Sequence, residues 1–324
     1  MRPTALSLLA ALACGGCGAD GAAVSPAFAP GSSVPVAVEV TPVPLDPTDA
    51  SRQAIGAFVF AGGIEIRAPN QDRFRELSDL RIIDDRVIAV TDQGDVFRAR
   101  LTFHEGRLTG LADGRLERLT DEQGQPLRDG AESDAEGLAI FPNGDWLVSF
   151  ERNHRIWRYP GGSGVPQRAP TPEFEVSPNA GLEALTAYPS AGADAYLAGT
   201  EGGMVWLCRL GGACSDAGLA SLVPEGLGLT ALAAYGSNGS LALLGRAYDP
   251  GQGTRIALRL IAPDGTGGYT VLDEMRLGPP LTRDNFEGLA AVPLPDGRLR
   301  IYLLSDDNAS RSQHTYLFAF DWRR

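Results

Sequence analysis

Apolar residues in this chain come in short runs separated by glycine, proline and aspartate turns, and the runs recur as one repeated sentence. Aligned on Leu80, Leu138, Leu185, Leu232 and Leu289, five segments read LSDLRII, DAEGLAIF, GLEALTAY, GLTALAAY and NFEGLAAV. Each is followed by a turn, such as Pro142-Asn143-Gly144-Asp145 or Pro295-Asp296-Gly297, and then by a second apolar run: VIAVTD, WLVSFE, AYLAGTE, LALLGR and IYLLSDD. A third run carries aromatic or branched residues in alternation: DVFRARL, RIWRYP, MVWLCRL, RIALRLI and YLFAFDW. Strand, turn, strand, turn, strand with period two predicts an antiparallel meander. Three of the intervals then hold an extended stretch, GRLERL, EFEVS and YTVLDEMRL, that predicts an outer fourth strand.

The register leucines lie 58, 47, 47 and 57 residues apart, close to the spacing of four-stranded propeller blades at about 40–50 residues. The fold class predicted is all-β, a single β-propeller over residues 51–324. Five blades are expected. Six is the alternative, because Pro30 to Pro69 is long enough to build part of a sixth. A full unit counted from Leu289 would overrun Arg324, so the last blade lacks a strand. The segment AIGAFVFAGGIEIRAP, residues 54–69, is the expected donor, since joining the first and last segments removes an open edge.

Composition agrees with this reading. Gly 40 and Pro 23 make about a fifth of the 324 residues, which favours many turns over long helices. Lys+Arg 28 against Asp+Glu 40 leaves a net charge of −12, which repels nucleic-acid phosphates and anionic lipid. No lysine occurs, so a phosphate-loop lysine, a Schiff base and a Ser-Lys dyad are excluded. No Gly-x-Ser-x-Gly elbow occurs either, which disfavours a Ser-His-Asp hydrolase.

Residues 1–20 are expected to be an export signal: Arg2 precedes the apolar run Ala5 to Ala13, which ends in small residues. The stretch Ala11-Leu12-Ala13-Cys14-Gly15-Gly16-Cys17 resembles a bacterial lipoprotein signal, with Cys17 or Cys14 as the acylated residue and cleavage by ordinary signal peptidase near Ala19 as the alternative. Residues 21–50 are expected to be a tether, with a stray strand allowed for. The protein is therefore expected in the periplasm or outer envelope, touching membrane only through an anchor, and as a monomer. Cys208 and Cys214 flank the Gly211-Gly212 turn, a spacing open to either a small disulfide or two free thiols.

In a propeller the innermost strands line a central channel, so the start of each first strand meets the end of each second strand on one face. Two positions before the register leucines stand Ser78, Glu136, Glu183, Thr230 and Glu287, and at the ends of the second strands stand Asp92, Glu151, Glu201, Arg246 and Asp306, with Asp307 next to it. Crowded acids call for a cation, and oxygen-only donors suit Ca²⁺ better than zinc. The expected metal-side groups are Glu136, Glu183, Glu287 and Asp306. Arg152, Arg246 and Glu151 are expected on the substrate side, with Glu136 and His154 as the catalytic residues and His154 as proton carrier. Solvated loop acids paired with Arg152 and Arg246, and a surface His154, are the bland alternatives.

Asp134-Ala135-Glu136-Gly137-Leu138-Ala139, Val148-Ser149-Phe150-Glu151, Asn285-Phe286-Glu287-Gly288-Leu289-Ala290 and Leu304-Ser305-Asp306-Asp307-Asn308 resemble the bacterial phytase-like family, described as having esterase-like activity of phytase. The similarity runs from about Gly56 to Trp322. The Asp-x-Glu-Gly-Leu phrase also resembles one in the calcium-dependent β-propeller phytases. What the resemblance implies is a propeller with calcium-assisted hydrolysis of phosphate esters as reference chemistry, Glu136 as a metal or water-activating carboxylate and Glu287 as its counterpart. The expected substrate is a small ester or phosphorylated molecule. A non-catalytic ligand- or partner-binding propeller and a lactonase of the gluconolactonase type are the alternatives, because the fold hosts all three.

Overall fold

A computed structural model describes residues 32–174 and 181–323. The three-strand sentence becomes five antiparallel sheets arranged as five propeller blades. The first blade runs from Leu77–Ile83 through Arg86–Thr91 and Asp95–His104 to Arg107–Arg118, and the second through Ala135–Ile140, Trp146–Phe150, Arg155–Tyr159 and Gln167–Ala169. Ala184–Ala187, Ala195–Gly199, Val205–Arg209 and Ser215–Asp216 build the third, and Gly228–Tyr235, Ser240–Asp249, Gly253–Pro263 and Tyr269–Leu277 the fourth. The first strands of the blades touch one another in a closed ring around the axis.

The fifth blade draws on both ends of the chain. Asn285–Pro293, Leu299–Asp306 and Tyr316–Trp322 are followed in the sheet by Phe58–Arg67 and then Glu39–Pro42. Tyr316 faces Glu65 and Trp322 faces Phe58 in this antiparallel pairing. Phe60 packs between Phe318 and Phe320, with ring centroids at 5.5 and 5.4 Å. Unpaired edge amides on Tyr316–Trp322 would otherwise template aggregation.

Two local readings are corrected. Part of the expected tether is seated on the propeller: Ser33–Pro35 pairs with the outer strand of the first blade, and Glu39–Pro42 with Phe58–Arg67. In the second blade the outer strand is Gln167–Ala169 rather than EFEVS, whose last residues lie outside the described ones. Pro170 and Pro172 follow that strand directly, and a proline cannot donate to a ladder. The expected leader, with Cys14 and Cys17, lies outside the described residues. No helix among the described residues is long and apolar enough to cross a membrane. Cys208 and Cys214 are joined as a disulfide.

The hydrophobic core is divided into five clusters, one between each pair of consecutive blades. This explains why the second strands carry apolar residues on both of their faces. Leu147 packs toward the third blade, while Trp146, Val148 and Phe150 pack toward the first. A sheet covered on both sides has no polar face to alternate with. Glycine follows the glutamate in the second and fifth blades for a steric reason. A Cβ at Gly137 would lie 2.7 Å from Leu185 Cβ, and one at Gly288 would lie 3.0 Å from a Leu80 methyl, so the next inner strand could not approach.

Candidate functional site

The inner strands reach the axis with a shared irregularity. In the first, fourth and fifth blades the pairing with the second strand skips one inner residue, Ser78, Thr230 or Glu287, and in the second blade Glu136 and Gly137 together oppose Ser149. Each is a β-bulge, which bends the strand and re-aims the extra side chain. Four members of the ring expected from sequence thus stand at bulges, while Glu183 immediately precedes its strand, Ala184–Ala187.

The acids converge. One carboxylate oxygen each from Asp92, Asp134 and Glu136 lie within 4.8 Å of one another. Asp134 and Glu136 are buried, at 3% and 9% exposure. Ser78 Oγ donates to Asp92 Oδ1 at 2.5 Å, and Arg152 Nε sits 2.7 Å from Asp134 Oδ2. The Glu136 carboxylate has no hydrogen bond or ion pair with another described residue, although Glu183, Asp92, Glu287 and Asp134 all act on its charge. Burial, and then those acids, push its carboxyl well above the usual range. Asp92 is raised by burial and then by Asp306, and Asp306 by burial and then by Glu287.

On the far side of the mouth the acids are partly balanced. Arg246 Nη2 lies 2.9 Å from Glu287 Oε1, and Asn285 Nδ2 donates to Glu287 Oε1 at 2.9 Å and to Asp306 Oδ2 at 3.3 Å. Even so, burial outweighs Arg246 and pushes Glu287 up to about 8. Glu183 is likewise pushed up to about 8, by burial and then by Glu151 and Glu201.

Of the four expected metal-side groups, Glu136 belongs to the compact cluster, and Glu183, Glu287 and Asp306 surround it. Arg152 and Arg246 stand at the mouth, each paired to an acid. Glu151, held by its backbone amide on Asp134 O at 2.8 Å, also lies at the mouth, raised by burial and then by Asp134. His154 is not brought to the acids. Its ring packs 5.7 Å from that of Phe174, which lies 5.7 Å from Trp206, and its half-buried side chain forms no hydrogen bond to any described acid. Asp134 was missed as a ligand, although the alternation in Asp134-Ala135-Glu136 carries the signal: residues two apart in a strand share a side.

The channel is closed beneath the acids. Arg81 Nη1 donates to Leu289 O at 2.8 Å, and Nη2 donates to Leu232 O at 3.2 Å and to Leu185 O. Asp79, fully buried, accepts from the amides of Leu80 at 2.8 Å, Leu138 at 3.0 Å and Leu289 at 3.3 Å. The five partners are the register leucines of all five blades. An arginine inside the apolar run LSDLRII was the available signal. The acidic site is therefore a cup with one opening.

The donor set suits a hard cation. Oxygens on one Ca²⁺ at about 2.3–2.6 Å can stand no more than roughly 5 Å apart, and the three carboxylates meet that limit.

A family profile described as "Phytase-like", with "Esterase-like activity of phytase", matches residues 72–309. No curated protein matches the chain. Among solved structures, a Bacteroides thetaiotaomicron protein of unknown function is similar at 10% identity and TM-score 0.49, over 89% of this chain and 76% of that one. A streptogramin B lyase is similar at 11% identity and TM-score 0.41, over 87% and 98%. A putative glucose dehydrogenase from Thermus thermophilus is similar at 14% identity and TM-score 0.41, over 76% and 97%.

Proposed function

The chain belongs to the phytase-like family, and from that premise we propose that its acidic cup holds Ca²⁺ and hydrolyses small esters, phosphate esters foremost. The observation that carries the reading is the packing of Asp92, Asp134 and Glu136 within 4.8 Å. Buried carboxylates so close repel each other unless a cation is shared among them.

These three residues hold the ion, with Ser78 orienting Asp92 through its 2.5 Å hydrogen bond. A cation bound there supplies Lewis-acid polarisation of the ester oxygen and a water of lowered pKa. Arg152 and Arg246 present guanidinium groups at the mouth and receive the anionic oxygens of the substrate. Asn285 holds Glu287 and Asp306 in place. Glu183, whose carboxyl is raised by burial and then by Glu151 and Glu201, serves as the proton donor to the leaving oxygen. This role passes to Glu183 because His154 faces Phe174. Arg81 and Asp79 seal the floor, so substrate enters and product leaves by the same mouth. The Cys208–Cys214 disulfide supports an exported protein in an oxidising compartment.

The test joins thermal melts with turnover. Ca²⁺ is expected to raise the melting point and chelator to reverse it. A panel of phosphate monoesters, diesters, carboxyl esters and lactones is expected to show turnover that Glu136→Gln abolishes. Stabilisation without turnover on any ester would make the protein a binding propeller, and turnover confined to lactones would move it to lactonase chemistry.

A further inference from the structure

The propeller axis has a second end. Beyond the Asp79–Arg81 plug, on the face opposite the acids, it widens into a funnel of about 200 Å³. Every blade contributes to the wall, through Ile82, Ile140, Ala187, Ala234 and Ala291, and the turn residues Pro142 and Pro189 stand at the rim. Arg81, 12% exposed, lies at the base and is the one charged side chain in the lining among the described residues. Apart from Arg81 and Thr186, no lining residue has a polar side chain.

The plug itself shows which chemistry satisfies the axis. In an antiparallel ladder, alternate residues turn both N–H and C=O away from the neighbouring strand. On the innermost strands the register leucines do so, which is why Asp79 collects the amides of Leu138 and Leu289, and Arg81 the carbonyls of Leu185, Leu232 and Leu289. Two residues on, Ile82, Ile140, Ala187, Ala234 and Ala291 hold the same place in the alternation. They present a second ring of amides and carbonyls to the funnel. Of these amides, that of Ala234 alone has a side-chain acceptor among the described residues, Thr186 Oγ1 at 3.2 Å.

We propose that this funnel binds a small monocarboxylate with an apolar body of about six carbons. The ring of amides and the guanidinium at the base call for an oxyanion, and no acid in the lining opposes it. The walls call for hydrocarbon, since each methylene they remove from water adds to binding. Volume sets the size: a dry cavity of about 150 Å³ accepts benzene, so 200 Å³ leaves room for the carboxylate as well. A folded partner segment is too large to enter. Because the plug separates the funnel from the acidic cup, the inference does not rest on the ester-hydrolase reading.

The test compares hexanoate with acetate, which lacks the body, and with 1-hexanol, which lacks the charge. Calorimetric titrations of the full chain are run in chelator, so that no metal at the acids receives the carboxylate. Hexanoate is expected to bind at least about tenfold more tightly than either. In nitrogen-15-labelled protein it is expected to shift the amide resonances of Ile140, Ala187 and Ala291 and to leave those of Glu136 and Glu287 in place. Ile82→Glu sets a carboxylate in the wall and is expected to lower hexanoate to the level of 1-hexanol, whereas Ile82→Gln, without the charge, keeps the preference for the anion. Acetate or 1-hexanol binding as tightly as hexanoate overturns the proposal. So does hexanoate failing to bind at millimolar concentration, a shift confined to amides of the acidic mouth, or unchanged binding in an Ile82→Glu variant that melts like the wild type. Should Ile82→Glu fail to fold, the amide shifts of the wild type decide.

Discussion

Arg81 Nη1 lies 3.0 Å from Asp79 Oδ1 on the propeller axis, and between them the two side chains reach backbone groups of all five blades. A buried ion pair of this kind contributes little over a well-packed apolar pair, but breaking it strands a charge. Arg81→Met at neutral pH leaves Asp79 without its cation and three carbonyls of other blades without their donor. The expected loss is about 3–5 kcal/mol by urea denaturation. The double change Asp79→Asn with Arg81→Met should recover part of it. A loss below about 1 kcal/mol for Arg81→Met would mean the axis is not held this way.

Asp79 also sets a pH dependence. Burial pushes its carboxyl up to about 6 from 3.8, with Arg81 and the Leu138, Leu80 and Leu289 amides opposing the rise. The folded state therefore holds the proton more tightly than the unfolded chain. The resulting stability is fully present below about pH 4 and is lost as pH rises through about 6, roughly 3 kcal/mol in all. Other acids add their own slopes, so the measurement is a difference. Denaturation of wild type and Asp79→Asn across this range should show the variant lacking that component. Parallel pH profiles would contradict the assignment.

Asp92→Asn should change sign with calcium. Without the ion the substitution removes one of several mutually repelling buried carboxylates, and a melting point about 2–4 °C higher is expected. With the ion it removes a ligand, and a calcium affinity at least about tenfold weaker is expected. Melts of both proteins in chelator and in calcium decide it. A variant that melts lower than wild type in chelator would show that Asp92 is stabilising without a cation.

Closure of the ring depends on Phe60, whose side chain is 2% exposed between Phe318 and Phe320. Phe60→Ala is expected to cost about 3–5 kcal/mol. Loosening Phe58–Arg67 also bares the edge of Tyr316–Trp322, so light scattering should rise before the main unfolding transition. Monomeric, fully cooperative unfolding of the variant would argue against closure by this strand.

Several features were legible along the chain because their cause is local. Period-two runs around Leu80, Leu138, Leu185, Leu232 and Leu289 specify strands whatever lies beside them, and five repetitions with one short unit specify a ring of blades. The likeness of Asp134-to-Ala139 and Asn285-to-Ala290 to one family phrase pointed to the family that the profile match over residues 72–309 establishes. Position within the repeat was enough to place Glu136, Glu183 and Glu287 around one axis.

What required the assembled ring is whatever depends on distance between blades. Asp92 comes from the first blade and Asp134 leads into the second, so only radial packing makes them a set with Glu136. His154 follows the right strand, but its ring packs against Phe174, in the segment that follows the outer strand of its own blade. Pairing partners likewise decided that Ser33–Pro35 and Glu39–Pro42 belong to the propeller and that Gln167–Ala169 is the outer strand of its blade. The periodicity of a strand records which of its sides are buried, whereas the identity of the atoms that bury it is a property of residues tens to hundreds of positions away.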